Sequence, residues 1–168
     1  MQSLSGKALL VVGTLVIVLA FLANPGMGQK PRALQGVDTV KAVFDVRSGD
    51  PGFLYSHLHL VYTTYRDQMV RSSDESPQFA VVFMSRSVLP LSRNRDRFSA
   101  EERETLDKMD DLLVKMDKAG ITLEVCEVAL GSQNVDLDSI PSEVESVRNG
   151  WVSSIGYQAK GYSLVPVY

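Results

Sequence analysis

Residues 120–135 read GITLEVCEVALGSQNV, and the reading of the whole chain turns on them. Gly120 ends the preceding amphipathic segment as a helix-stop residue. The apolar and β-branched run that follows it is a short strand. This strand delivers Cys126, the chain's only cysteine, at its end. Ala129 and Leu130 then start a helical turn that Gly131 is expected to end early. Peptide N–H groups at a helix start favour a thiolate, which is the reactive form of cysteine. The alternative is a buried strand cysteine acting as a small hydrophobe. Glu124 and Glu127 work against the thiolate, because nearby negative charge disfavours it. Side chains alternate along a strand, so Glu124 shares a side of the sheet with Cys126 while Val125 and Glu127 point the other way.

Working back toward the N-terminus, residues 99–102 (SAEE) form a capping box, with Ser99 as cap and Glu102 reaching back. The helix they open carries Leu106, Met109, Leu113 and Met116 on its inner face. Residues 79–84, FAVVFM, are a continuous apolar run of the kind found in a strand buried on both faces. Between these two elements, residues 85–98 read as a loop carrying Arg86, Arg93, Arg95 and Arg97. Four guanidinium groups in one loop can hold an anionic ligand. They can equally balance Glu101, Glu102 and Glu104 on a solvated surface, the commoner fate of charge runs. Residues 39–46, TVKAVFDV, are the first strand. Ser48, Gly49, Asp50 and Pro51 turn the chain, with Asp50 as N-cap and Pro51 at the first helical position. Leu54, Leu58, Val61, Tyr62, Tyr65 and Met69 recur at helical spacing as one buried stripe. His57 and His59 fall beside it in packing or surface positions.

Beyond residue 135 the chain reads as a loop with Asp136 and Asp138, then a short fourth strand over 143–147. Asn149 and Gly150 start a helix through Trp151, Ile155 and Ala159. Gly161 ends that helix, and residues 162–167 are the last strand. Strands and helices therefore alternate, which predicts a three-layer α/β/α domain over residues 38–168 with a five-stranded, mainly parallel sheet. Ligands on such sheets sit beyond the carboxyl ends of the strands. Cys126 is there, as are Asp50 and the loop bearing Arg86, Arg93 and Arg95. Cys126 is the candidate catalytic residue, and the other four are candidate ligand-binding residues.

Composition sets limits on function. The chain has 168 residues, 45% hydrophobic and 22% charged, in the range of one globular domain. Its formal net charge is −3, and residues 1–28 hold one basic residue and no acidic one. Without them 16 basic residues face 20 acidic ones, a balance unsuited to nonspecific nucleic-acid binding. One cysteine makes neither an intrachain disulfide nor a cysteine-rich zinc site, and two histidines at i, i+2 on a helix do not converge on a metal. No metal or cofactor is expected. No Gly-rich phosphate loop follows the first strand, which argues against a flavodoxin-type nucleotide binder.

Residues 1–28 have a different character. A short polar start with Lys7 precedes 16 uncharged residues, 8–23, rich in Val, Leu and Ile. Asn24, Pro25 and Gly26 follow. This is the pattern of a secretory signal peptide with cleavage after Gly28. The run falls slightly short of the ~20 residues that span a bilayer, so an uncleaved membrane anchor is the rival reading. Either way the domain is expected to be exported, to the periplasm or anchored at the membrane, after a polar linker over 29–37.

The sequence resembles the DsrE/DsrF-like family, which includes the TusD-type sulfur-relay proteins, over roughly residues 39–168. Val125-Cys126-Glu127-Val128-Ala129-Leu130, followed by Val135, is similar to the family's Cys-x-x-Ala-Leu segment. Val81 to Phe83, leading to Val88-Leu89-Pro90-Leu91, is similar to its second strand and following loop. Val147 to Gly150, and then Gln158 to Tyr162, resemble its closing strand, Gly-started helix and Gly-Tyr ending. The resemblance implies a DsrEFH-type fold assembled as trimers or hexamers. It also implies a sulfurtransferase role, with a persulfide on Cys126 passed to a thiol-bearing acceptor protein. Glu127 stands where relay members commonly have an uncharged residue. The alternative function is a non-catalytic oligomeric binding or assembly domain with Cys126 merely buried.

Overall fold

The computed structural model describes residues 31–71 and 75–168. The signal-peptide or anchor reading of residues 1–28 lies outside the described residues. Among the described residues no helix is long and apolar enough to cross a membrane. Within the expected linker, Arg32–Leu34 form a 3-10 turn.

Five strands form one sheet: β1 (Lys41–Val46), β2 (Gln78–Phe83), β3 (Thr122–Cys126), β4 (Glu145–Val147) and β5 (Ser163–Val167). The sheet order is β4-β3-β2-β1-β5, and every pair is parallel. The central strands are buried along almost their whole length, as covered parallel sheets require. α1 (Pro51–Arg66) and α4 (Ala100–Lys118) pack together on one face. There Tyr65 meets Phe79 edge-on, with ring centroids 5.4 Å apart. α6 (Gly150–Ala159) lies on the other face, where Tyr157 bonds Glu124 of β3. This is the expected three-layer α/β architecture.

The helix ends follow their sequence signals. Asp50 Oδ1 accepts the Phe53 N–H at 2.7 Å, with Pro51 at the first position of α1. The Ser99–Glu102 capping box is complete at the start of α4. At its other end Gly120 takes φ +91°, the Gly120 N–H reaches Asp117 O, and the Ile121 N–H reaches Met116 O. This pair of bonds needs a left-handed residue at Gly120, which a side chain would strain.

Several boundaries differ from the sequence expectation. β1 begins at Lys41 and β4 at Glu145, each two residues late. α1 stops at Arg66 because Asp67 turns its carboxylate to the Met69 N–H, 2.7 Å away. Met69 therefore belongs to a separate turn, α2 (Gln68–Arg71). The 85–98 segment is not simply a solvated loop. Ser85–Ser87 form a 3-10 turn and Val88–Leu91 form α3, all four of whose residues are buried. Their apolar side chains outweigh the charge of the arginines around them. Gly131 does not end the turn after Cys126. α5 (Glu127–Gln133) passes through it to Asn134, whose φ of 52° makes the left-handed stop. Burial of Ala129 and Leu130 against the core outweighs the ~1 kcal/mol that a helical glycine costs.

Candidate functional site

Cys126 is the last residue of β3 and the N-cap of α5. Its register partner on β4 is Val147. The strand's alternation directs it to the α6 face of the sheet, where Gly150 opens that helix. A Cβ on Gly150 would lie 3.1 Å from Cys126 Cβ and 2.7 Å from both Cγ and Sδ of Met84. Only a residue without a side chain lets α6 start this close to the thiol. Cys126 is 5% exposed. It also lines a cavity of about 350 Å3, with Met84, Ser85, Ala129, Asn149 and Trp151. Ser85 sits at φ 56°, a sparsely used conformation for a non-glycine residue, at the wall of this cavity.

The two carboxylates near the thiol are placed as the alternation indicates. Glu127 turns away and its Oε1 accepts from Ser146 Oγ at 3.0 Å. Glu124 is on the cysteine's side of the sheet, two residues and about 7 Å along the strand. It is 8% exposed, and its Oε1 accepts a 2.6 Å hydrogen bond from the Tyr157 hydroxyl. Its Oε2 has no partner among the described residues. Burial and the adjacent Glu124 carboxylate push the Tyr157 phenol well above its ordinary value, so it remains a donor at any physiological pH. Tyr157 therefore holds Glu124 against α6.

A second, larger cavity, about 640 Å3, lies at the carboxyl end of β1. Arg86 and Asp50, two of the candidate ligand-binding residues, come together there with Arg47 and Arg97. The other two lie elsewhere. Arg95 pairs with Asp110 at 2.7 Å and also donates to the Pro90 carbonyl, so its guanidinium ties the segment to α4. The Arg93 backbone N–H bonds Ser139 O at 2.8 Å, and its side chain is outside the cavity. Sequence reasoning passed over Arg47, although it directly follows β1 and meets the same carboxyl-end criterion. Arg47 borders both cavities and is gripped by the buried Asp45 through Nε at 3.0 Å and a terminal nitrogen at 2.8 Å. The hydrogen bonds that Arg47 donates to the Asp45 carboxylate are the main reason that its guanidinium holds its proton more tightly than usual.

The outer side of α6 is unexpected for an amphipathic helix. Gly150 and Ser154 are buried, whereas Trp151, Val152 and Ile155 are each about two-thirds exposed. Val128 on α5 is 62% exposed as well. Trp151 and Val128 both line the Cys126 cavity, so an apolar surface begins at its mouth.

No protein-family model matches the chain. An uncharacterized protein of Aquifex aeolicus (strain VF5) is 25% identical over 128 residues, 76% of this chain. The match spans 56% of that relative's length. Among solved structures, a protein of unknown function from Methanobacterium thermoautotrophicum superposes with a TM-score of 0.59 at 18% identity. The YchN protein of E. coli superposes with a TM-score of 0.54 at 13% identity. Each superposition covers 76% of this chain and 98% of the other. These superpositions show that the chain shares its α/β fold with both neighbours.

Proposed function

We propose that this chain is a DsrE-like sulfur carrier in which Cys126 holds a persulfide. The observation that carries the reading is the position of the chain's single cysteine. It stands at the carboxyl end of an inner strand of a DsrE-like sheet, on the wall of a cavity. In the loading step the Cys126 thiolate attacks a terminal sulfur of a polysulfide. One S–S bond forms, another breaks, and the shortened polysulfide leaves with the electron pair. An acceptor thiolate then attacks the outer sulfur of the persulfide and releases Cys126 as thiolate. One cysteine on this chain is enough, because the second thiol belongs to the acceptor protein.

The low exposure of Cys126 favours a second reading, a structural thiol in an assembly or binding domain. Intact-mass spectrometry of the native protein with polysulfide separates the two. A carrier gains the mass of sulfur at Cys126 and reacts with an alkylating agent at neutral pH, and Cys126→Ser loses both reactions. Labelling that appears only in denaturant, with no sulfur gained, would end the carrier reading. The same spectra of protein from the producing cell test export, since cleavage after Gly28 removes the mass of residues 1–28.

Self-association belongs to the same proposal, with a second copy of this chain as the partner. The exposed apolar set Trp151, Val152, Ile155 and Val128 supports it, because monomers rarely leave contiguous apolar surface bare. The resemblance points to trimers or hexamers. Sedimentation at micromolar concentration should give a multiple of the chain mass, reduced toward one chain by Ile155→Glu. A wild-type protein that sediments as a single chain would refute it.

A further inference from the structure

The geometry points to a second binding site, separate from the thiol, in which Arg47, Arg86 and Arg97 hold a small phosphate monoester at the carboxyl end of β1. The cavity of about 640 Å3 lies within the ~300–1,000 Å3 range of small-ligand sites. It shares only Arg47 with the Cys126 cavity.

Three guanidinium groups border it, and they are differently engaged. Arg47 is oriented by its two-point pairing with Asp45. The Arg86 and Arg97 side chains make no hydrogen bond or ion pair with any described residue. Two carboxylates also border the cavity, but each has a structural task. Asp50 accepts from the Phe53 N–H at 2.7 Å, and Glu102 Oε2 accepts from the Ser99 N–H at 2.7 Å. Neither comes within 4.0 Å of a cavity arginine, the limit for an ion pair. The acids thus temper the positive field without occupying the arginine forks. Recognition here rests on directed hydrogen bonding more than on net charge.

The cationic groups are mounted on ordered backbone. Ser87 Oγ donates to both Val46 O and Met84 O at 2.8 Å, fastening the turn that carries Arg86 to β1. The β1–α1 connection approaches that turn so closely that a Cβ on Gly49 would lie 2.9 Å from Arg86 Cβ. Arg97 is anchored by its neighbour Phe98, which is 8% exposed.

The ligand class follows from this lining. A guanidinium presents a planar fork of donors that matches an oxyanion. A tetrahedral dianion can engage two or three forks at once, whereas a monocarboxylate engages one. Phe98 and Leu89 supply an apolar wall beside the arginines, and the cavity is far larger than a bare phosphate ion. An ester with a planar or apolar substituent uses both parts of the lining.

The probe is phenyl phosphate, titrated calorimetrically into the full chain at low ionic strength, with inorganic phosphate and benzoate in parallel. Phenyl phosphate should bind saturably and weaken as salt is added. Inorganic phosphate and benzoate should each bind at least about 5-fold more weakly, since each lacks one part of the match. Arg86→Ala and Arg97→Ala should each weaken phenyl phosphate about 10-fold, as expected for loss of a charge-assisted hydrogen bond. Both side chains are exposed, so the melting temperature serves as the control for folding and should not move. Cys126→Ser should bind as the wild type does, which keeps this site distinct from the sulfur-carrier reading. The absence of saturable binding would overturn the inference. So would equal affinity for inorganic phosphate, affinity indifferent to both arginine variants, or loss of binding in Cys126→Ser.

Discussion

Gly150→Leu is expected to lower the melting temperature by roughly 10 °C, with a loss of about 3 kcal/mol. The new side chain would begin 2.7 Å from Met84 and 3.1 Å from Cys126 Cβ, inside contact distance of both. Met84 is 4% exposed and Cys126 is fixed in a central parallel sheet, so neither withdraws freely. The strain is relieved only if the first turn of α6 lifts from the ends of β2 and β3. That movement would also uncover the thiol, and labelling of Cys126 should accelerate together with the stability loss. Gly150→Ala is a graded control. Its better helix propensity, worth up to ~1 kcal/mol, offsets part of an overlap cost of about 1–3 kcal/mol. The net loss for alanine should therefore stay below about 2 kcal/mol. A leucine variant as stable as the wild type, with unchanged labelling, would show that α6 does not press on the cysteine.

Phe83→Ala should cost about 3–5 kcal/mol, measured by denaturant titration at constant slope. Phe83 has no exposed surface and ends β2, the middle strand of the sheet. Its neighbours in register are Val46 and Val125, both fully buried on the face covered by α1 and α4. An alanine there leaves a void that three hydrogen-bonded strands cannot collapse to fill. Leu60→Ala is the comparison, because Leu60 is 60% exposed and should lose less than about 1 kcal/mol. Equal losses at the two positions would contradict the core assignment.

The sequence by itself determined the architecture, because the governing signals are local. Asp50 with Pro51, the Ser99–Glu102 box and Gly120 each close hydrogen bonds within a few residues of themselves. The apolar run over 79–84 has one stable placement, inside a sheet covered on both sides. Alternation along β3 was enough to turn Glu127 away from Cys126 and leave Glu124 beside it. Where local signals competed with packing, packing prevailed. Leu89 and Leu91 drew an arginine-rich segment into the core, and Ala129 and Leu130 carried α5 through Gly131. The two cavities were decided only by the tertiary structure. Arg47 and Arg97 are 50 positions apart in sequence and meet because β1 and β2 are adjacent parallel strands whose carboxyl ends share one rim. Arg95, two positions from Arg97, is drawn to Asp110 instead. The closeness of Gly150 to Cys126 depends on α6 crossing the sheet after β4, and no residue near either position encodes that crossing locally. Spacing along a chain sets which residues share a face, whereas the path of the connections sets which faces meet.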